Sequence, residues 1–270
     1  MGLKDETAAA YSSAADHFDD QALSFWDRFG RRTVERLDLQ PGDRVLDACC
    51  GTGASALPAA RAVGEAGNVL GVDLAEPALA RARAKAAAQN LSNVEFRVSD
   101  VEHTGLESST CDAVVCVFGI FFLPDMAAGI AELWRLVRPG GRLAVTVWGP
   151  RWVEPGAGFF WDAVGEERPD LVRAFAPWAR ITTPEALVDL FEQGGAATPS
   201  VVAEPGTHRL AHPEDWWTIV LGTGLRSTVD KLGPEAAARV REANLAWATG
   251  EGLAEVEASV VFGVASKPVI

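Results

Sequence analysis

The sequence has no hydrophobic run long enough to cross a membrane. No stretch approaches about 18 consecutive apolar residues, although 48% of the 270 residues are apolar. The first six residues, Met-Gly-Leu-Lys-Asp-Glu, also lack the apolar segment of a signal peptide. We therefore expect a cytoplasmic chain without membrane contact, long enough for one large α/β domain or a core with a cap.

Positive charge is scarce as well. The chain has 24 basic and 37 acidic residues, which gives a net charge of −13. Nucleic acids and anionic membrane surfaces attract basic proteins, so neither is expected as the main partner. A small-molecule substrate fits this composition better, and we expect a monomer or a homodimer.

Cysteine is infrequent and its spacing is not that of a metal site. The four cysteines are Cys49, Cys50, Cys111 and Cys116, and none of them forms a C-x-x-C pair. Two are adjacent and two flank an apolar segment, as expected for small buried residues in a reducing compartment. We therefore predict no metal ion.

What the chain does contain is an alternation of apolar strands and amphipathic helices. The pattern predicts strands over 44–48, 68–72, 94–98, 111–118 and 143–148, with helices over 54–63, 76–90 and 125–137. Strands joined by helices form a parallel, doubly wound sheet of the Rossmann-like α/β class. A helical segment is expected over 7–37, and further strands over 200–210 and 255–266.

The first strand ends in a turn rich in glycine, which is where α/β sheets bind ligands. Asp47 lies at the carboxyl end of this strand, and Gly51 and Gly53 allow a ligand to approach the backbone closely. Asp73 and Asp100 follow the next two strands and should face the same crevice. Asp73 lies twenty residues past Gly53, where a carboxylate can accept both hydroxyls of a ribose. Together these residues predict a nucleoside site.

Two classes of nucleoside cofactor compete at this point. Residues 51–56 satisfy G-x-G-x-x-A, which would suit the dinucleotide of an NAD-dependent oxidoreductase. However, Asp47 just before the turn would repel a pyrophosphate and attract an ammonium or sulfonium group. Asp100 is placed to accept a hydrogen bond from an adenine amino group. These two carboxylates favour a sulfonium nucleoside over a dinucleotide.

Five segments resemble the motifs of the class I S-adenosylmethionine-dependent methyltransferases. Residues 45–53 (Val-Leu-Asp-Ala-Cys-Cys-Gly-Thr-Gly) resemble the first motif, D-x-G-x-G-x-G, and residues 71–74 and 98–101 resemble the ribose and adenine motifs. Residues 111–115 and 136–143 resemble the fourth motif and the turn before strand five. Within the family the chain is most similar to the ubiquinone/menaquinone-biosynthesis type. Cys49 departs from the pattern, because a glycine is usual there.

The resemblance implies a cofactor, a topology and a set of binding residues. The cofactor would be S-adenosyl-L-methionine, and the sheet would have seven strands with an antiparallel last strand and helical lid insertions. Asp47 would lie near the methionine end of the cofactor, and Phe118 would face the methyl donor. The other implied cofactor residues are Ala48, Cys49, Gly51, Gly53, Asp73, Leu74, Asp100 and Val101.

Aromatic residues outside these motifs are the candidates for the substrate site. Six of the nine tryptophans follow residue 150, and small-molecule sites are usually apolar and aromatic. We predict substrate contacts from Phe18, Trp152, Phe159, Trp161, Trp216 and Trp217. His17, beside Phe18, is the predicted general base. The implied division is one methyltransferase domain over 1–270, with a core over 38–150, 182–211 and 253–270 and lid elements over 1–37, 151–181 and 212–252.

The predicted function is methyl transfer from S-adenosylmethionine to an apolar small molecule by in-line displacement, with a place in specialised (secondary) metabolism. Two alternatives stay open: an NAD-dependent oxidoreductase, and a non-methylating S-adenosylmethionine-binding protein of the same fold. The motifs identify the donor and leave the acceptor atom open, so carbon, nitrogen and oxygen all remain candidates.

Overall fold

The computed structural model describes residue 9 and residues 11–172 and 177–269. Its strands are β1 (Arg44–Ala48), β2 (Asn68–Asp73), β3 (Val94–Val98), β4 (Cys111–Val117), β5 (Val137–Trp148), β6 (Ser200–Glu204), β7 (Thr207–Arg209), β8 (Glu255–Glu257) and β9 (Val260–Ser266). Parts of the predicted lid and core, namely residues 1–8, 10, 173–176 and 270, lie outside the described residues.

The longer helices alternate with the strands up to β5 and then accumulate in the second half of the chain. They are α1 (Phe25–Glu35), α2 (Ala56–Val63), α3 (Glu76–Ala88), α4 (Met126–Leu136), α5 (Gly156–Glu167), α6 (Pro184–Gln193), α7 (Asp215–Leu221), α8 (Arg226–Leu232) and α9 (Pro234–Gly250). Short 3-10 helices cover Ala15–His17, Gln21–Leu23, Val101–His103, Ile120–Phe122, Pro169–Leu171 and Pro177–Arg180.

The described strands form a seven-stranded sheet in the order β3-β2-β1-β4-β5-β9-β6. β1 to β5 pair in parallel, and β9 runs antiparallel to both of its neighbours. This confirms the predicted doubly wound sheet with an antiparallel last strand. The strand order reverses direction between β1 and β4, which is the switch point where such sheets open a ligand crevice.

Alternate side chains of the central strands bury the two faces of the sheet. Val45 and Val115 pack on one face with α2 and α3, whereas Leu46, Val114 and Val145 belong to the core on the other face with α4 and α6. This alternation is the pattern of a parallel sheet covered on both sides. It leaves the carboxyl ends of the strands as the edge where polar side chains can meet a ligand.

Two predicted strands are each interrupted in the structure. The segment predicted over 200–210 breaks at Pro205-Gly206, and the one over 255–266 breaks at Ala258-Ser259. Proline has no N–H to donate to a neighbouring strand, so only β6 and β9 join the large sheet. The short ends, β7 and β8, pair with each other in a separate two-stranded ladder.

The N-terminal segment is less helical than the sequence predicts. In place of one long helix over 7–37, the described residues form short helical pieces before α1. Asp20 is extended, with ψ of 144°, and this redirects the chain. Phe18, Phe25 and Trp26 can therefore pack over the carboxyl end of the sheet, where Trp26 contacts Trp148 with ring centroids 5.5 Å apart.

The described residues contain no helix that is long and apolar enough to span a membrane.

Candidate active site

A cleft lies at the carboxyl ends of β1, β2, β3 and β4, with an empty volume of about 1070 Å³ that includes its open mouth. Seven of the predicted cofactor residues line it: Cys49, Gly51, Asp73, Leu74, Asp100, Val101 and Phe118. Asp47, Ala48 and Gly53 do not reach its surface. Asp47 and Ala48 are fully buried, so they can affect a ligand only from beneath the turn.

The side chain of Asp73 hydrogen-bonds to the turn after β1 and fixes its conformation. One carboxylate oxygen of Asp73 accepts from the backbone N–H of Gly51 at 2.9 Å, and the other accepts from the N–H of Ala75 at 2.9 Å. Burial raises the pKa of Asp73, and its backbone hydrogen bonds oppose that rise. Each oxygen keeps a second lone pair, so the carboxylate can still accept from ribose hydroxyls.

Left-handed backbone conformations explain why glycine is favoured in this turn. Gly51 and Gly53 have φ of 51° and 87°, and Cys49 has φ of 59°. A side chain at such a φ costs roughly 1–2 kcal/mol, which accounts for the glycine usual at the position of Cys49. A Cβ on Gly51 would meet no atom within 4 Å, so the space beside this residue is open to a ligand.

Asp47 is a buried carboxyl with one oxygen unused. Its Oδ2 accepts from the Ser55 hydroxyl at 2.7 Å, whereas its buried Oδ1 has no hydrogen-bond partner among the described residues. Burial raises the pKa of Asp47 to about 7; nearby Asp73 adds to the rise, and the Ser55 hydroxyl and the Ala56 amide oppose it. An ammonium or sulfonium group would lower this pKa and favour the carboxylate.

The end of the cleft lined by Leu74, Asp100 and Val101 combines a carboxylate with apolar surface. Asp100 caps a 3-10 turn by accepting from the N–H of Glu102 at 3.0 Å, and Val101 beside it is buried. Leu74 lines the cleft and is 39% exposed, a large fraction for a leucine next to a buried strand. This surface can cover one face of a flat base, while the carboxylate accepts from its amino group.

The opposite half of the cleft is aromatic. It is formed by Tyr11, Phe18, Trp26, Phe118, Phe122 and Leu123. Phe118, with φ of 55°, stacks on Trp148 with centroids 3.8 Å apart. Trp26 stacks against Phe18 at 5.5 Å. Tyr11, Trp26 and Phe122 belong to this wall, although no motif identified them; Tyr11 and Trp26 lie within the segment predicted as helical over 7–37, and no sequence pattern pointed to Phe122.

The structure brings one of the six predicted substrate residues, Phe18, to this cleft. Trp216 is fully buried and donates its Nε1–H to Asn244 at 2.9 Å, and Phe159 stacks on Trp247 at 4.6 Å. Trp161 packs on Phe160. Neither Trp152 nor Trp217 lines the cleft, and both are buried. Helix α9 contacts both α5 and α7 in this region, so Phe159, Trp161, Trp216 and Trp217 supply packing among the late helices, whereas Trp152 packs against Trp148 and Trp178.

His17 also lies outside the lining of the cleft. Its Nδ1 is 3.0 Å from Oδ2 of Asp20, and its Cβ lies beside Gly222, just after α7. The titratable side chains that line the cleft, within the described ranges, are Tyr11, Cys49, Cys50, Asp73 and Asp100. A contact with Cys116 and burial raise the pKa of the Cys49 thiol, and burial raises that of Cys50. Both thiols are therefore neutral.

The described residues contain no group of three or more His, Cys, Asp or Glu side chains that could hold a metal ion.

The described fold and cleft are those of a nucleoside-binding α/β protein. A family model described as a methyltransferase domain matches residues 45–141, the span that holds the glycine turn and all three strand-end carboxylates. Aklanonic acid methyltransferase from a Streptomyces species is 34% identical over 143 residues, which cover 53% of this chain and 65% of the relative. Nocamycin O-methyltransferase from Saccharothrix syringae is 33% identical over 195 residues, 72% of this chain and 68% of the relative.

Two further similarities cover less of the relative or concern the fold alone. Demethylmenaquinone methyltransferase from Bacillus cereus is 36% identical over 113 residues, 42% of this chain and 48% of that protein. Among solved structures, the [4+2]-cyclase SpnF superposes with a TM-score of 0.57 and 22% identity, covering 90% of this chain and 82% of that one; at this identity the likeness concerns the fold. The chain belongs to the class I S-adenosylmethionine-dependent methyltransferases.

Proposed function

We propose that the chain transfers a methyl group from S-adenosylmethionine to an apolar, ring-containing small molecule. The observation that carries this proposal is the division of one cleft into two halves. Strand-end carboxylates and open backbone form one half, and Tyr11, Phe18, Trp26 and Phe122 form the other. Phe118 lines the cleft and also stacks within the aromatic cluster, so the proposed donor and acceptor would meet beside its ring.

The cofactor residues are assigned on the same basis. Asp73 would accept from the ribose hydroxyls, Asp100 and Val101 would bind the adenine edge, and Leu74 would cover its face. The buried Oδ1 of Asp47, which lacks a partner among the described residues, would compensate positive charge at the methionine end. When bound, the cofactor supplies an electrophilic methyl carbon on a sulfonium.

The role proposed for the protein is alignment of the acceptor and exclusion of water. Orientation within a site can supply up to about 7–11 kcal/mol of a reaction barrier. A general base typically adds 10²- to 10⁴-fold, and His17 remains the predicted base although it does not line the described cleft. Because the described lining of the cleft contains no histidine, the proposal favours an acceptor that loses its proton without help from a side chain, such as an acidic hydroxyl, an acidic carbon or an amine.

Specialised metabolism is the proposed setting. Two of the relatives are named for aklanonic acid and nocamycin, and a third for demethylmenaquinone. The three alignments span 65%, 68% and 48% of the relatives' own lengths. The aromatic half of the cleft supports a flat, apolar acceptor, and nothing in its described lining selects among oxygen, carbon and nitrogen.

The test has a binding stage and a turnover stage. Calorimetry with S-adenosylhomocysteine and with NADH separates a methyltransferase site from an oxidoreductase site, and we expect binding of the former alone. The enzyme is then incubated with S-adenosylmethionine and a panel that includes aklanonic acid, and products are searched by mass spectrometry for one added methyl group. Tight NADH binding would contradict the donor assignment. Binding of S-adenosylhomocysteine without any methylated product across the panel would favour the non-methylating alternative.

A further inference from the structure

A second groove lies on the side of α1 that faces α2 and α3, with about 910 Å³ of empty space including its mouth. Its positively charged lining residues come from three helices: Arg28, Arg31, Arg61 and Lys85. Asp27 is the one carboxylate among the lining residues. A chain with 37 acidic and 24 basic residues thus has a groove of the opposite charge.

Two of these four cations already have carboxylate partners. Lys85 Nζ lies 2.7 Å from Asp19 and 3.6 Å from Asp27, and Arg31 lies 3.7 Å from Glu35. These contacts are of the exposed or partly exposed kind, which contribute little to stability. Acidic side chains thus neutralise two of the four basic residues in this groove.

Arg28 and Arg61 have no carboxylate partner among the described residues. Arg28 is half-buried, its guanidinium lies 4.4 Å from the centre of the Phe29 ring, and it donates a long hydrogen bond of 3.3 Å to the carbonyl of Thr207. Its buried Nε has no partner at all within the described ranges. Arg61 donates to the amide oxygen of Gln89. Both guanidiniums therefore keep N–H groups for another acceptor.

Other polar groups of the groove do not compete for this role. His208 donates its Nε2–H to the carbonyl of Ala22 at 2.9 Å, and burial lowers its pKa, which keeps the ring neutral. Ser24 does not cap α1 with its side chain, so its hydroxyl can also donate. The groove therefore offers two guanidinium groups without carboxylate partners among the described residues, and a hydroxyl, to an incoming ligand.

We propose that this groove binds a multiply charged oxyanion, a phosphate or polycarboxylate, at Arg28 and Arg61. A guanidinium matches such oxygens in pairs, and its hydrogen bonds to charged acceptors are roughly twice as strong as neutral ones. The guanidinium of Arg28 makes one long hydrogen bond to a carbonyl, and its buried Nε has no acceptor among the described residues. Such an under-satisfied buried donor group is costly, so an oxyanion that hydrogen-bonds the terminal nitrogens of this guanidinium would be favoured.

The groove is separate from the cofactor cleft. Ala54 borders both, and α1 closes directly over it: a Cβ on Gly30 would lie 2.3 Å from the carbonyl oxygen of Ala54. No room for a ligand exists between the helix and the turn at that contact. An oxyanion in the groove therefore would not occupy the site assigned to S-adenosylmethionine, and the two ligands can bind together.

The experiment is calorimetry on the full chain at fixed ionic strength, with pyrophosphate and citrate as separate probes. We expect R28Q and R61Q each to weaken binding at least fivefold, and the pair of substitutions at least twentyfold. R28K should lie between R28Q and the unmodified protein, because it keeps the charge and loses the paired donors. R241Q, which removes an exposed arginine of α9, is the matched control and should change affinity less than twofold.

Several outcomes would overturn the proposal. They are the absence of binding by either probe, equal weakening by R241Q and R61Q, or displacement of the probe by saturating S-adenosylhomocysteine. The relative affinity for pyrophosphate and citrate shows whether phosphate or carboxylate is preferred. Melting curves accompany each variant, and if R28Q does not fold, R61Q carries the test because Arg61 is exposed. None of these readouts requires a methyl acceptor, so the result is independent of the proposed function.

Discussion

The two halves of the cleft differ in how the chain builds them. The proposed cofactor half, with its carboxylates, comes from strand ends within residues 45–141, where a hydrogen-bonded register fixes each carboxylate relative to the next. The proposed acceptor half, with its aromatic rings, is assembled from segments far apart in sequence, such as Tyr11, Trp26 and Phe122. Backbone pairing positions the first half, whereas side-chain packing positions the second. A local motif can therefore specify a donor site, but an acceptor site depends on how several segments pack.

Replacing Asp73 should give the largest effect on the cofactor half. The D73A variant loses the acceptor of the Gly51 and Ala75 N–H groups and the proposed ribose contact. Hydrogen bonds to charged groups are worth about 1.5 kcal/mol or more each. Loss of the two proposed hydrogen bonds to the ribose hydroxyls should therefore weaken cofactor binding about 100-fold. Calorimetry with S-adenosylhomocysteine measures the loss. D43A is the control, because Asp43 caps a turn before β1 by accepting from the N–H of Gln40 at 2.7 Å. An equal loss of affinity in D43A would show that the effect of D73A does not come from contact with the cofactor.

Replacing Phe18 should weaken binding of the acceptor and leave binding of the methyl donor nearly unchanged. Phe18 is only partly buried, lines the cleft and stacks on Trp26. We expect F18A to raise KM for the acceptor about tenfold, in line with about 1.4 kcal/mol of lost apolar contact, with less than a twofold change in affinity for S-adenosylhomocysteine.

F159A is the matched control for F18A. Phe159 is also partly buried and stacked on an aromatic ring, that of Trp247, but it lies away from the cleft. We expect F159A to lower the melting temperature and to leave KM unchanged. A larger KM change in F159A than in F18A would move the acceptor site back to the late aromatic residues.

The titration of Asp47 should make both stability and cofactor binding depend on pH. Its folded-state pKa is about 7, against 3.8 for the unperturbed group. Because the folded value is raised, this carboxyl favours folding fully below pH 4, and that contribution is lost as pH rises through 7. The shift corresponds to a contribution on the order of 4 kcal/mol at most.

Comparison with D47N isolates this contribution. Denaturant titrations from pH 4 to pH 8 should show the unmodified protein losing stability relative to D47N. In the same range its affinity for S-adenosylmethionine should rise severalfold, since the cationic ligand favours the carboxylate, while the affinity of D47N stays flat. Parallel pH profiles for the two proteins would show that Asp47 does not cause the pH dependence of stability or of cofactor affinity.

Changing Cys49 to glycine should have the smallest effect. The C49G variant relieves a left-handed backbone worth roughly 1–2 kcal/mol and loses the side chain that fills the space beside Gly119, whose added Cβ would lie 2.4 Å from Cys49 Cβ. These effects oppose each other, so we expect stability within about 1 kcal/mol and cofactor affinity within threefold. C49V should be clearly destabilised, because a β-branched side chain tolerates this φ poorly. A stable C49V would show that the turn is less constrained than its φ of 59° indicates.

The sequence by itself determined the sheet and the chemistry of its edge. The period-2 and helical patterns located β1 to β4 within a residue or so at each end. These strand ends place Asp47, Asp73 and Asp100 at or just after the carboxyl ends of β1, β2 and β3. Register in a buried parallel sheet is strongly specified by its side-chain pattern, so strand-end residues in such a sheet fall on one edge. The prediction of a nucleoside site rested on this regularity, whereas the prediction of a methyltransferase and its cofactor rested on the resemblance of residues 45–53, 71–74 and 98–101 to family motifs.

Only the tertiary structure decided which aromatic residues reach the cleft. Phe18, Phe159 and Trp216 are equally aromatic in sequence, yet one lines the cleft, one stacks on Trp247 and one is fully buried with its N–H bonded to Asn244. The same holds for Arg28 and Arg61, which meet in one groove from two helices. Apolar burial is non-directional, so composition predicts that such rings are buried, and only the packing of the helices determines what they face.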